Sequence, residues 1–166
     1  MSWTVSTDEN PGTSDRVMVD GIPTVRRVVP TSGEVAVNPS PFGGANALAI
    51  DHVVVNTDNL ERTSHAVSEA LGTELRRVRD AGRGVTQGFH VLDNTVVEIV
   101  SGPHITEPGA TLWGFVVVVD HLDAVVEHLG NRATPVKPAV QPGRFISSLR
   151  SDAGLGVPIA LMSPRV

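Results

Sequence analysis

The stretch Ala49-Ile50-Asp51-His52-Val53-Val54-Val55-Asn56-Thr57-Asp58-Asn59-Leu60 returns in outline as Leu112-Trp113-Gly114-Phe115-Val116-Val117-Val118-Val119-Asp120-His121-Leu122. Each copy is a β-branched run, then an Asp, then a leucine two residues on that opens a helical pattern. Val97-Glu98-Ile99-Val100-Ser101 has a counterpart in Ile159-Ala160-Leu161-Met162-Ser163. Both pairs share one offset of roughly 60 residues, which marks a supersecondary unit used twice.

Working outward, each copy reads as β, α, β, β, β. In the first, Ile50 to Asn56 is a strand and Asp58 is placed to cap a helix, with Glu61 as its capping-box partner. Leu60, Ser64, Val67 and Leu71 fall on one helical face, and Gly72 stops the helix. Thr73 to Arg79, Val85 to Leu92 and Thr95 to Val100 alternate as strands. In the second copy Leu112 to Val119 is a strand and Asp120 the cap. Leu122, Val125, Val126 and Leu129 form the helical stripe, shorter than the first by about one turn. Val136 to Val140, Arg144 to Arg150 and Val157 to Met162 follow as strands, the first of them irregular because prolines flank it.

Upstream lies an arm, residues 1–44. Met1 to Arg16 is polar and expected to be disordered or loosely attached. Val17 to Ile22 reads as a hairpin around Asp20-Gly21, a pair suited to a type I′ turn. Val25 to Val29 and Glu34 to Val37 are read as further short strands. Asn38-Pro39-Ser40-Pro41-Phe42-Gly43-Gly44 marks a boundary. The domain is placed at 45–166, with units at 47–103 and 110–164.

The chain of 166 residues carries a formal net charge of -5 and no Cys. The charge and the lack of a basic run argue against nucleic acid. The missing cysteines exclude disulfides, thiolate zinc sites and cysteine nucleophiles. No apolar run approaches the roughly 20 residues of a membrane helix, and no secretory h-region is present. A cytoplasmic protein without membrane partners is expected. Arg76, Arg77 and Arg79 are close in sequence, but alternation splits them between two faces, and a solvated sheet edge is expected there. Arg144 and Arg150 are expected to be solvated as well.

A tandem βαβββ unit that opens with Asp-His-Val-Val-Val and closes its fourth strand with Val-Glu-Ile-Val resembles the vicinal oxygen chelate superfamily, over Ala47 to Pro164. That group includes glyoxalase I, bleomycin resistance proteins and extradiol dioxygenases. The resemblance implies an α+β fold whose curled mixed sheets form a cup for a small molecule. It also implies metal ligands on the first and fourth strands of each unit. Those positions hold His52 and Glu98 in the first unit, but Gly114 and Ala160 in the second, where neither can bind a metal.

Imidazole and carboxylate suit divalent zinc, iron, nickel or manganese, yet catalytic sites usually supply three protein ligands. His90 or Gln87 is the candidate third, and strand parity admits only one of them to the Glu98 face. His52 and Glu98 are equally readable as a buried hydrogen-bonded pair, and Glu98 as a base. If the two face the cup, so do Val54, Asn56, Val96 and Val100. Trp113 is read as core or as a wall for a planar ligand, and Met162 as lining. Three functions stay open: a metal-dependent enzyme of the glyoxalase or dioxygenase type, a metal-free ligand-sequestering protein, and a dimeric interaction module. A homodimer is expected in each.

Overall fold

The computed structural model describes residues 3–6, 14–27 and 45–165. The expected strand Glu34 to Val37, the boundary segment and the end of the Val25 to Val29 strand lie outside them. The architecture is mixed α+β, with βαβββ order repeated. The chain forms two compact units, one of Met1–Val35 with Val54–Leu112, the other of Ala36–Val53 with Trp113–Val166. No helix among the described residues is long and apolar enough to cross a membrane.

The first unit contains three arm strands, β1 (Trp3–Ser6), β2 (Ser14–Val19) and β3 (Ile22–Arg27). They pair in the order β1-β3-β2, with β1 parallel and β2 antiparallel to β3. Asp20 and Gly21 both take positive φ, +46° and +92°, as the turn between β2 and β3 requires. The hairpin expected around Asp20-Gly21 is present, while residues 3–6 and 14–16 are strand where a loose tail was expected. Val19 and Ile22 explain why: both are buried, in one cluster with Val55, Val67, Val97, Ile99 and Ala110. Burying a side chain of this size contributes about 2 kcal/mol, so the two anchor the hairpin turn to the core of this unit.

The repeat proper follows with β4 (Ala47–Thr57), whose residues from Val54 belong to this unit, then α1 (Leu60–Leu71), β5 (Leu75–Gly82), β6 (Val85–Val91) and β7 (Val96–Ser101). The strand order is β5-β6-β7-β4. Helix α1 starts one residue later than the sequence suggested. Asn59 is the N-cap, its side chain accepting from the Arg62 N–H at 2.9 Å, and Gly72 closes the helix at φ +64°. Asp58 is drawn off the cap by Arg62 and by the Gly109 N–H. The hairpin is tied to this helix end: Asp20 accepts from Arg62 Nε at 2.8 Å and from the Thr63 hydroxyl. Hydrogen bonds to Asp20 and Asp58 push the Arg62 guanidinium still higher than usual.

The second unit contains most of β8 (Ala110–Val119), then α2 (Leu122–Leu129), β9 (Lys137–Pro138), β10 (Phe145–Ser148) and β11 (Ile159–Met162). Its order is β8-β11-β10-β9, with β11 parallel to β8 and β10 antiparallel to both of its neighbours. Both units therefore place their strands first, fourth, third, second. The core is Ala45, Val119, Leu122, Val125 and Leu161. Asp120 does not cap α2. Its carboxylate takes the Asn46 backbone N–H at 2.7 Å and the Asn46 amide at 2.9 Å, and the helix N-cap, His121, makes no side-chain cap bond. The proline-flanked strand shrinks to two residues, because Pro cannot donate to a ladder.

Candidate functional site

In the first unit the sheet has one face against α1 and one face away from it. Val97 and Ile99 point into the core, so Val96, Glu98 and Val100 point the other way. On β4 the same parity separates the buried Val55 and Thr57 from Val54 and Asn56. Cross-strand register extends the outer face: Gln87 pairs with Val100, and Phe89 with Glu98. All of these outer-face residues are half-buried except Val54, which is buried.

Gln87 Nε2 donates to Glu98 Oε1 at 2.6 Å. A carboxylate in mid-strand needs such a donor, since burying it unpaired costs several kcal/mol. With its N–H committed, Gln87 presents its own carbonyl oxygen, Oε1, which is buried and has no hydrogen-bond partner. Gln87 is therefore the member of the Gln87/His90 pair that shares the Glu98 face.

His90 stands on the opposite face. It is fully buried, and its Nε2 meets the Ser64 hydroxyl of α1 at 2.8 Å. It does not belong with Glu98, Val96 and Val100: one residue of strand displacement reverses the side-chain direction. Burial pushes the His90 pKa down, against a smaller upward push from the Thr73 backbone. The ring is thus a neutral hydrogen-bonding part of the helix–sheet packing.

His52, although part of the first repeat copy, falls in the second compact unit, and Glu98 in the first. His52 Nδ1 meets Asp51 Oδ2 at 2.9 Å, and the other Asp51 oxygen takes Arg144 Nη1 at 2.5 Å. Arg144 also donates from Nε to the Ser163 carbonyl at 2.9 Å. It is only 3% exposed, so the expectation of a solvated arginine fails; Asp51 supplies the charge that lets the guanidinium leave water. Arg150 is exposed, as expected. Burial by itself would raise the Asp51 carboxyl, but hydrogen bonds from His52 and Arg144, with their charges, outweigh it and hold the pKa below its ordinary value.

The remaining second-unit candidates are Gly114, Ala160, Trp113 and Met162. Gly114 is forced by close approach. A Cβ there would lie 2.2 Å from the Pro158 carbonyl oxygen, which also accepts from the Phe115 N–H at 3.2 Å. No side chain fits at 114 without moving backbone, and Ala160 offers no donor atom. Trp113 is 49% exposed, so it is not core. Met162 is buried at 2%. This unit also has an open groove of about 620 Å³ at the start of α2, lined by Asp120, Val136, Pro138, Phe145 and Ser163 among others. None of the candidate residues drawn from the sequence lines it.

For a metal the donor set does not fit. Among the described residues no group of three or more His, Asp or Glu side chains is placed to hold an ion, and the second-unit positions are closed by Gly114 and Ala160.

No protein-family model and no curated protein matches the chain in sequence. Solved structures do match in fold. Methylmalonyl-CoA epimerase from Mycobacterium tuberculosis superposes with a TM-score of 0.60 at 15% identity, over 80% of this chain and 94% of that one. A hypothetical protein of Bacillus halodurans C-125 gives 0.57 at 13% identity, over 71% and 95%. Streptomyces coelicolor methylmalonyl-CoA epimerase, in complex with 2-nitronate-propionyl-CoA, gives 0.57 at 16% identity, over 73% and 100%. Repeat, strand order and these neighbours agree: the chain has the fold of the vicinal oxygen chelate superfamily.

Proposed function

We propose that this protein binds a small organic molecule on the outer face of the first-unit sheet, without a resident metal, and that Gln87 and Glu98 are its polar anchors. The observation that carries this reading is the 2.6 Å Gln87–Glu98 bond on a face that also holds Val54, Asn56, Val96, Val100 and Phe89. An apolar surface with a few fixed polar groups is the usual chemistry of a small-molecule site. The metal-free form is supported by Gly114 and Ala160 at the positions where the family resemblance calls for ligands. Glu98 is a general-base candidate for a substrate carrying an acidic C–H. The neighbours' CoA ligands make acyl thioesters the first compounds to try. A homodimer is part of the same reading, supported by the exposed Leu48, Ile50 and Trp113 of the second unit.

The test is a ligand-shift melt across acyl thioesters, dicarbonyls and planar aromatics, run on wild type, Glu98→Gln and Gln87→Ala. A native-state ligand raises Tm by mass action, and the expected shift is present in wild type and lost in both variants. Metal analysis of chelator-free protein is expected to give far less than one ion per chain. A stoichiometric metal that disappears in both His52→Ala and Glu98→Ala would overturn the metal-free reading.

A further inference from the structure

The edge strand of the first unit carries charges that no other described residue pairs with. Arg77 and Arg79 make no hydrogen bond or ion pair with another described residue. The chain as a whole is acidic, with a formal net charge of -5, so two neighbouring arginines without a partner among the described residues run against its own composition. Register fixes their direction. Arg77 pairs with Phe89, and Arg79 with Gln87. Directly opposed residues in an antiparallel pair point to the same side. Phe89 in turn pairs with Glu98, and Gln87 with Val100. Two rows therefore cross the outer face, Arg77–Phe89–Glu98 and Arg79–Gln87–Val100.

These rows are polarised. Guanidiniums stand at the β5 end and a carboxylate at the β7 end, with the Phe89 ring between. Two strand spacings separate the ends, about 10 Å. Gln87 adds a buried carbonyl oxygen that lacks a donor. Arg79 is half-buried while most of its strand is exposed, so part of its water has already been removed.

We infer that the ligand of this face is an elongated organic anion: a phosphate or carboxylate held by Arg77 and Arg79, an apolar middle over Phe89, and a hydroxyl or amide N–H at the far end for Gln87 Oε1 and Glu98. Guanidinium forks suit both oxyanions by paired N–H···O contacts. The inference rests on the proposed binding face and adds the ligand's charge and polarity to it.

Three probes of one shape test this by calorimetric titration: 4-hydroxyphenylacetate, 4-hydroxyphenyl phosphate and the uncharged 4-(2-hydroxyethyl)phenol. At least one anion is expected to bind about tenfold more tightly than the uncharged probe; which one does so separates carboxylate from phosphate. R77Q/R79Q is expected to lose that advantage and keep the weak binding of the uncharged probe. R76Q/R83Q is the charge-matched control, since Arg76 sits at the register shift of β5 and Arg83 in the turn; its affinities should stay within about twofold. Melting curves confirm that each variant is folded. Equal affinity for charged and uncharged probes, equal losses in the two double variants, or no binding of any probe overturns the inference. Binding of the uncharged probe that Glu98→Gln abolishes, with no preference for the anions, leaves the binding face standing and removes only its anion end.

Discussion

Glu98 and Ala160 hold the same place in the repeat, and so do His52 and Gly114, yet the two units use their polar residues for opposite ends. The first unit puts a hydrogen-bonded carboxylate on a half-buried face. The second has alanine at the position that corresponds to Glu98 and holds Arg144 and Asp51 in a buried pair. One fold thus carries a half-buried hydrogen-bonded pair in one compact unit and, in the other, a buried ion pair whose electrostatics serve stability. The duplicated βαβββ frame constrains strand order and helix placement, and leaves the chemistry of each copy free to diverge.

If the second unit uses Arg144 and Asp51 structurally, breaking that pair should have the largest effect on the molecule. Arg144→Met takes the guanidinium away from Asp51 in a poorly hydrated place, and is expected to cost about 3 kcal/mol or more. Adding Asp51→Asn should return a substantial part of the loss, because the stranded charge goes with it. Denaturant unfolding of the single and double variants measures the coupling. A single-variant loss under about 1 kcal/mol would mean that the ion pair contributes little.

Gly114 sharpens the same contrast. Gly114→Ala drives a Cβ toward the Pro158 carbonyl, and is expected to cost about 2 kcal/mol, within the usual range for overpacking. Gly114→His should do worse and should not create a metal site even beside Ala160→Glu. Zinc-dependent stabilisation of that double variant, followed by thermal melting, would show that the second unit retains a latent ligand geometry.

Acid separates the units by mechanism. His90 in the first is neutral in the folded state, with its pKa lowered from 6.5. An unfolded chain therefore binds the proton first, so stability is full above about pH 6.5 and falls below it, at up to about 1.4 kcal/mol per pH unit until the folded-state pKa is reached. Asp51 and Asp120 in the second have pKa values lowered from 3.8. Their contribution is present above that value and is lost only as the pH falls further. Amide exchange is expected to quicken first in α1 and β6 as the pH drops from 7 to 5, with β8 and β10 unchanged. His90→Gln should flatten that early arm; an unaltered arm would assign it elsewhere.

The frame was legible because period and punctuation agree. Val-rich runs alternate, helical stripes recur at i, i+3 and i+4, and Gly72 and Gly130 end both helices as read. Parity fixed Val96, Glu98 and Val100 as one face, but not which of Gln87 and His90 joins them, since that depends on a register set by β6 and β7 together. Arg144 was read as solvated because its partner, Asp51, lies 93 positions away, beyond any local pattern. The capping of α1 was misplaced by one residue for a related reason: Asp58 is engaged by Gly109 from far along the chain, and Asn59 takes the cap instead. Arg77 and Arg79 were read as a solvated edge, and only the pairing with Phe89 and Gln87 shows which face they join.

The helix starts give the smallest and most local comparison. Asn59 satisfies an orphan N–H of α1, whereas His121 leaves the first turn of α2 without a side-chain acceptor. Asn59→Ala should therefore cost about 1 kcal/mol, the usual worth of an N-cap. His121→Ser should gain a few tenths up to about 1 kcal/mol, because it supplies the missing acceptor to a helix of only 8 residues. The two substitutions lie in different units and should add within about 0.5 kcal/mol. A stabilising His121→Ser would mean that the second helix is held by its Leu122 and Val125 packing alone, with capping still to be gained. A neutral one would mean that its first N–H groups already have partners of equal worth, and the two helix starts would then differ in sequence without differing in energy.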